Sequence, residues 1–201
     1  MRVRREVRTL RTKKRFQAIR RAFVAVLELE SDDFRIIDWS LQGDHIHLII
    51  EASDQPSLSR GMKGLAVRLA RAINRVSGRR GTVFAERYYS RVLCTPREVR
   101  HARAYVMLNA RRHTREASEA AGGKWVDEYS SWAWFDGWED LPQKWLHKAR
   151  AGPEAVAPVA KAETWLLRIG WKRHGLIRLT ENPGGAGRGR KRIANRAGEG
   201  R

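Results

Sequence analysis

The chain has 201 residues, of which 41 are Lys or Arg and 22 are Asp or Glu, giving a formal net charge of +19. With 42% hydrophobic residues it has enough apolar mass for a packed domain, which excludes wholesale disorder. The single cysteine, Cys94, excludes an internal disulfide framework and a cysteine-based zinc site. No apolar run reaches the roughly 18 residues that span a bilayer, and no secretory signal is recognisable. These features predict a soluble, intracellular protein that attracts polyanions, with nucleic acid as the first candidate.

The positive charge is concentrated in two segments. Residues 1–22 and 60–115 are strongly basic, mostly through arginine, whereas residues 23–59 between them are net acidic. Most charge runs are solvated helix faces. Because arginine matches the geometry of phosphate groups, however, we expect part of this charge to bind a nucleic-acid backbone.

The composition changes after residue 115. This change predicts a domain of residues 1–115, a Trp-rich C-terminal extension at 116–180, and a basic, disordered tail at 181–201. Five tryptophans lie between positions 125 and 145. They could stack unpaired bases, but the leucines among them favour a small core that packs on the main domain.

The first predicted element is a helix from about Lys13 to Glu30, because its apolar residues recur at three-and-four spacing. Alternating apolar residues at 35–42 and 45–52 then predict two strands, joined by the two-residue turn signal Gly43-Asp44. The chain therefore enters a β-hairpin directly after its first helix.

The register of this hairpin follows from the turn. A two-residue turn pairs Leu41 with Ile46 and Trp39 with Leu48, and it pairs Ile37 with Ile50. All of these apolar side chains then share one face. The other face presents polar side chains: Ser40, Gln42, His45 and His47.

Three further elements follow the hairpin. Three-and-four spacing over residues 58–76 predicts an amphipathic helix, and residues 87–94 form a predicted strand in which Cys94 is a buried apolar residue. Thr95-Pro96 is a helix-start signal, and its helix should run to about His113. With residues 2–9 as a truncated first strand, the order is βαββαβ plus a terminal helix. We therefore expect an α+β fold with a ferredoxin-like (RRM-like) antiparallel sheet and an extra C-terminal helix.

The pair His45 and His47 is the sharpest chemical signal. Residues i and i+2 of a strand project from the same face, so the two imidazoles could chelate one divalent ion. For the pair alone, a metal site and a structural or incidental role are about equally common, and both interpretations stay open.

A second signal lies on the last helix of the first domain. Tyr105 and Asn109 are four residues apart and therefore lie on the same side of that helix. Tyr105 is either a half-buried core aromatic with its hydroxyl at the rim, or a nucleophile beside an amide metal ligand. Together the two signals are more specific. A metal held by His45, His47 and Asn109 would lie next to the Tyr105 hydroxyl and polarise a phosphodiester oxygen.

Two segments of the chain resemble the single-tyrosine HUH transposases. The His-hydrophobic-His motif of that family is similar to WSLQGDHIHLIIE at residues 39–51, and its tyrosine helix is similar to YVMLNARRH at residues 105–113. Residues 84–88 and the arginine-rich helix after Ser57 are also similar. The resemblance extends over roughly residues 10–115. It points to the REP-associated tyrosine transposases, bacterial relatives of the small insertion-sequence transposases.

The resemblance implies a metal-dependent enzyme that cleaves and rejoins single-stranded DNA hairpins, in transposition or in the mobilisation of REP elements. Tyr105 would be the catalytic nucleophile, leaving a 5′-phosphotyrosine and a free 3′-hydroxyl. His45, His47 and Asn109 would hold Mg²⁺ or Mn²⁺. The partner would be a single-stranded DNA hairpin at the nucleoid of a bacterial cytoplasm, with no membrane involved. A monomer and a homodimer both stay open.

Eight basic side chains are candidate DNA contacts, although any one of them is more often a solvated charge. They are Arg60, Arg68, Arg71, Arg75, Arg87, Arg91, Arg103 and His113. For His113, a favourable position on the dipole at the end of its helix is the simpler interpretation.

Two other functions stay open. A non-catalytic or domesticated module on the same fold would bind single-stranded nucleic acid, although its sheet offers histidines rather than stacking aromatics. A histidine phosphoesterase or nucleotide hydrolase often has a third His at the next alternate position. That position is Ile49, which disfavours this class.

Overall fold

A computed structural model describes residues 1–29, 32–110, 125–151 and 155–182. The predicted boundary at residue 115 and nearly all of the predicted tail lie outside these ranges. None of the helices in the described ranges is long and apolar enough to cross a membrane. In chain order, the helices and strands are α1 (Lys13–Leu27), β1 (Phe34–Leu41), β2 (Ile46–Ala52), α2 (Gln55–Ser77), α3 (Pro96–Leu108), α4 (Gln143–Arg150) and α5 (Trp165–Arg168). Short 3₁₀ helices lie at Arg5–Val7, Trp132–Trp134 and Gly170–His174. The predicted α+β class is confirmed.

The strands β1 and β2 form the predicted antiparallel hairpin, with Trp39 opposite Leu48 as expected. The predicted pairing of Ile37 with Ile50 is wrong, because a β-bulge at Ile37 places Ile36 opposite Ile50 instead. A bulge adds one unpaired residue and so changes which face the neighbouring side chains occupy. Ile36 consequently packs in one core with Trp39, whereas Ile37 joins a second core on the opposite face.

The predicted first strand is reduced to isolated bridges. Arg2 bridges His45 and Val3 bridges Phe84, and both bridges are antiparallel. The spatial order is therefore β1, β2, residues 2–3 and the segment at Phe84. This is the strand order of a ferredoxin-like sheet in which two of the four strands are stubs.

Two predictions about the segment before α3 are wrong. Residues 87–94 form no regular strand, and Cys94 is exposed rather than buried. Tyr89 and Val92 are exposed as well. Tyr88 and Leu93 are partly buried, each against a different core, so the burial does not follow the alternation that a strand with one buried face would show.

Local signals set the ends of the helices around the sheet. Asp54 caps α2 by accepting a hydrogen bond from the Ser57 N–H. The same helix ends at Gly78, whose φ of 61° is a left-handed conformation that glycine adopts without strain. Thr95 and Glu98 form a capping box at the start of α3, which begins at the predicted position.

The hairpin separates two hydrophobic cores. One face packs on α1 and α2 around the fully buried Trp39. The other face is covered by α3 and by residues from the 125–182 region, including Phe135 and the fully buried Trp171. Two tryptophans of the predicted cluster, Trp132 and Trp138, pack against this second core. Because both faces are covered, α3 is held in a fixed position over the hairpin.

Candidate active site

His45, immediately before β2, and His47, within it, lie on the hairpin face that α3 covers. Their Nε2 atoms are 3.0 Å apart, and their ring centroids are 4.6 Å apart. The i, i+2 spacing on an extended backbone produces this convergence directly. Two nitrogen lone pairs can therefore be directed at one point.

Asp44 orients the first histidine, and this role was not anticipated from the sequence, where Asp44 was only a turn residue. Its Oδ1 lies 2.6 Å from His45 Nδ1. A carboxylate at Nδ1 favours the tautomer with the proton on that nitrogen, which leaves the Nε2 lone pair facing His47. The hydrogen bond from His45 also lowers the pKa of Asp44. An Asp directly before the first His of the motif was the available signal.

The environment of His47 keeps that imidazole neutral. Burial, with smaller contributions from the charges of His45 and the chain amino terminus, lowers the pKa of His47 from 6.5 to about 4. At neutral pH the His47 ring is therefore uncharged, and one of its two nitrogens carries no proton. It can offer a lone pair to a cation rather than repel it.

Helix α3 brings Tyr105 and Asn109 to the same place. The Tyr105 and His47 rings meet edge to face with centroids 5.0 Å apart. The Asn109 amide nitrogen lies 3.5 Å from His47 Nε2. Asn109 is buried, whereas Tyr105 is 37% exposed, so the phenol stands at the rim where a substrate could approach. The four side chains singled out in the sequence thus lie together.

The donor set fits a divalent cation. Imidazole nitrogens bind first-row divalent ions such as Fe²⁺ and Zn²⁺, whereas an amide oxygen together with substrate oxygens suits Mg²⁺ or Mn²⁺. A carboxylate on the second nitrogen of a histidine, as Asp44 provides, is typical of metal-binding imidazoles. The described ranges contain no group of three or more His, Cys, Asp or Glu side chains placed to hold a metal, so the candidate set consists of two histidines and an amide.

The candidate DNA contacts separate into two groups. Arg60, Arg71, Arg75, Arg87 and Arg91 are exposed, and Arg68 is partly exposed. Arg103 is a correction, because its side chain is only 3% exposed and pairs with Asp38; it cannot reach a DNA backbone. His113 lies outside the described residues.

A basic groove beside the histidine pair was not identified from the sequence as a distinct site. It has a volume of about 590 Å³, and its lining residues include Asp44 and four arginines, Arg2, Arg4, Arg5 and Arg8. Arg8 adopts a φ of 60°, a costly conformation for a residue with a Cβ. The groove places positive charge next to the candidate site. The only sequence signal was the basic character of residues 1–22.

Comparison with known proteins identifies the family of the chain. A family model described as IS200-like transposase matches residues 1–109, which include all four site residues. No curated protein and no solved structure matches the chain. Since the family match covers more than half of the 201 residues, the chain belongs to the IS200-like transposase family.

Proposed function

We propose that this transposase cleaves and rejoins single-stranded DNA hairpins through Tyr105, with Mg²⁺ or Mn²⁺ as cofactor. Its setting would be transposition or the mobilisation of REP elements at the bacterial nucleoid. The observation that carries the proposal is the convergence of Tyr105, Asn109, His45 and His47. These side chains come from the start of β2 and from α3 with its C-cap, and His47 and Asn109 are 62 residues apart in the sequence.

Tyr105 is the group that would react covalently. Its Oη attacks the phosphorus of a phosphodiester, the bond from phosphorus to the 3′-oxygen breaks, and a 5′-phosphotyrosine forms. The phenol loses a proton and the departing 3′-oxygen gains one, so a free 3′-hydroxyl results. In the rejoining step a 3′-hydroxyl attacks the phosphotyrosine and releases Tyr105. One phosphodiester is exchanged for another, so the reaction needs no external energy source.

The remaining site residues would support this chemistry. His45, His47 and Asn109 would hold the cation, and Asp44 would keep the His45 tautomer that leaves Nε2 free. A bound divalent cation supplies charge stabilisation at a phosphoryl oxygen. The partial exposure of Tyr105 supports access by a single strand.

The surface charge supports a DNA strand that runs past the site. The arginine-lined groove borders Asp44, and the accessible arginines of α2 and of residues 87–91 supply further positive charge. Contacts of this kind bind phosphates without reading sequence and weaken as salt rises.

Formation of a covalent adduct tests the proposal. Purified protein is mixed with Mn²⁺ or Mg²⁺ and a 3′-end-labelled single-stranded hairpin, and the products are separated on a denaturing SDS gel. We expect labelled protein from the wild type, and none from Tyr105→Phe or in the presence of EDTA. Tyr89→Phe is the matched control, because Tyr89 is 90% exposed and lies outside the site.

Other outcomes would redirect the assignment. An adduct that persists in Tyr105→Phe would refute the role of this tyrosine. Hairpin binding that is indifferent to chelator and gives no adduct with any host-derived hairpin would favour the non-catalytic binding module. Nucleotide hydrolysis without an adduct would favour the phosphoesterase class.

A further inference from the structure

We propose that Arg103 is a positioning residue that fixes the tyrosine helix α3 on the hairpin. Tyr105 is thereby held in place beside the His45–His47 pair. The inference rests on the proposed function and deepens it. It is carried by a buried arginine that joins α3 to β1 and to the C-terminal part of the chain.

The guanidinium of Arg103 is bound on all sides. Its Nε donates to Asp38 Oδ2 at 2.7 Å and its Nη2 to Asp38 Oδ1 at 3.3 Å. Nη2 also lies 3.1 Å from Asp136 Oδ1, and Nη1 donates to the Leu167 carbonyl at 3.4 Å. A two-pronged pair of this kind fixes orientation as well as distance. Arg103 therefore connects α3, β1 and the segment after residue 125.

Two aromatic rings complete the enclosure. The guanidinium carbon of Arg103 lies 4.5 Å from the centroid of the Phe135 ring and 4.6 Å from that of Trp171. The side chains of Arg103 and Asp38 are only 3% and 2% exposed. Separating such a pair leaves an uncompensated buried charge on each side, which is strongly unfavourable. The clamp formed by Arg103, Asp38 and Asp136 thus resists detachment of α3.

The clamp lies close to the chemistry. Arg103 precedes Tyr105 by two residues, which is about 3 Å along the axis of a helix. Asp38 is two residues from Ser40, which pairs with His47 across the hairpin. The same helix and the same sheet therefore carry both the clamp and the site. A displacement of α3 from the sheet would have to break this buried ion pair.

The wild type, given the labelled hairpin and Mn²⁺, is the reference for the test. Absence of a wild-type adduct would count against the proposed function rather than against the role of Arg103.

The experiment weakens the clamp. Arg103→Lys keeps the charge but loses the two-pronged contact, and Arg178→Lys is the matched control in the exposed pair with Glu139. We expect the single-turnover rate of adduct formation to fall about 10- to 100-fold in Arg103→Lys, because a small misplacement of a reacting group is costly. Hairpin affinity and Mn²⁺ binding measured by electron paramagnetic resonance should stay unchanged, as should the rate in Arg178→Lys.

Two results would overturn the positioning role of Arg103. One is an unchanged adduct rate in Arg103→Lys; the other is loss of Mn²⁺ binding together with the rate, which would indicate a merely structural residue. If the Lys variant does not fold by circular dichroism, Asp136→Asn carries the test, since Asp136 is half-exposed and its loss leaves the Asp38 pair intact. A smaller fall in the rate is expected there, and no fall would refute the proposal.

Discussion

Two glycines of α2, Gly61 and Gly64, lie three residues apart in different surroundings, so alanine should change the stability of the protein differently at each. A Cβ at Gly61 would lie 2.1 Å from Cδ2 and 2.2 Å from Cγ of Phe34. Ordinary contact begins near 3.4 Å, so the buried Phe34 ring would have to move by more than 1 Å. At Gly64 the nearest atom is the flexible Nη1 of Arg68 at 3.2 Å.

The expected free energies follow from these distances. Replacing an interior helix glycine with alanine gains about 1 kcal/mol in helix propensity, and Gly64→Ala should keep most of that gain. Overpacking a core costs about 1–3 kcal/mol, which cancels or exceeds the gain at Gly61. The two variants should differ by about 2 kcal/mol in the free energy of unfolding, or about 4–8 °C in Tm for a chain of this size.

Urea and thermal unfolding followed by circular dichroism would measure this difference. Adding Phe34→Leu should restore part of the stability of Gly61→Ala, because the smaller side chain leaves room for the new methyl group. If Gly61→Ala were as stabilising as Gly64→Ala, the close approach of α2 to Phe34 at the start of β1 would be refuted.

Three further predictions concern the carboxylates around the site and the fold. Asp44→Asn should weaken Mn²⁺ binding about 10- to 100-fold in a resonance titration, because His45 loses its orienting carboxylate; an unchanged affinity would contradict that role. Glu98 should titrate below the usual 4.5 in a ¹³C NMR experiment, because hydrogen bonds to its carboxylate, the strongest from the Cys94 N–H, lower its pKa. The ionised Glu98 then stabilises the folded state above pH 4.5, and this stabilisation is lost as the pH falls through the folded-state pKa of Glu98. Titration of Glu98 at or above 4.5 would refute its role in the cap. Asp127→Ala should lower the free energy of unfolding in urea by about 2–3 kcal/mol, because it removes the carboxylate that pairs with Arg11. The Arg11 side chain is only 22% exposed, and its two terminal nitrogens lie 2.8 and 2.9 Å from the Asp127 oxygens. A cost under about 1 kcal/mol would show that solvent compensates the arginine.

The convergence of the site residues was predictable because local spacing determines it. His45 and His47 share a strand face by the period of two, and Tyr105 and Asn109 share a helix side by the period of 3.6. The one long-range requirement is that α3 covers that strand face. The family resemblance supplied that requirement, since the spacing alone left Tyr105 open between a core aromatic and a nucleophile.

The bulge at Ile37 was not predictable from alternation. Ile36 and Ile37 are adjacent and both apolar, so the pattern permits either to face the first core. Which one does depends on the second core, whose members come from α3 and from residues beyond 130. The pairing error in the predicted hairpin has this cause.

The burial of Arg103 was not predictable from the sequence either. It lies in one of the two strongly basic segments, and nothing local distinguishes it from a solvated arginine. Its carboxylate partner Asp38 is 65 residues away, and its aromatic contacts Phe135 and Trp171 lie in the C-terminal extension, for which the sequence predicted packing on the main domain but no particular contact. Charge patterning reports neighbours along the chain, whereas burial here is decided by contacts across it.

The second core has a consequence for synthesis on the ribosome. It contains Ile37 near its start and Ile177 near its end, so it cannot close until almost all of the described chain has been made. Domains form as their residues emerge, and Tyr105 emerges well before Asp136 and Trp171. The nascent chain therefore carries every motif residue before the tyrosine helix is secured. A gene copy cut short after the motif would keep all the motif residues and Asp38, yet it would lack Phe135, Asp136 and Trp171, which complete the enclosure of Arg103.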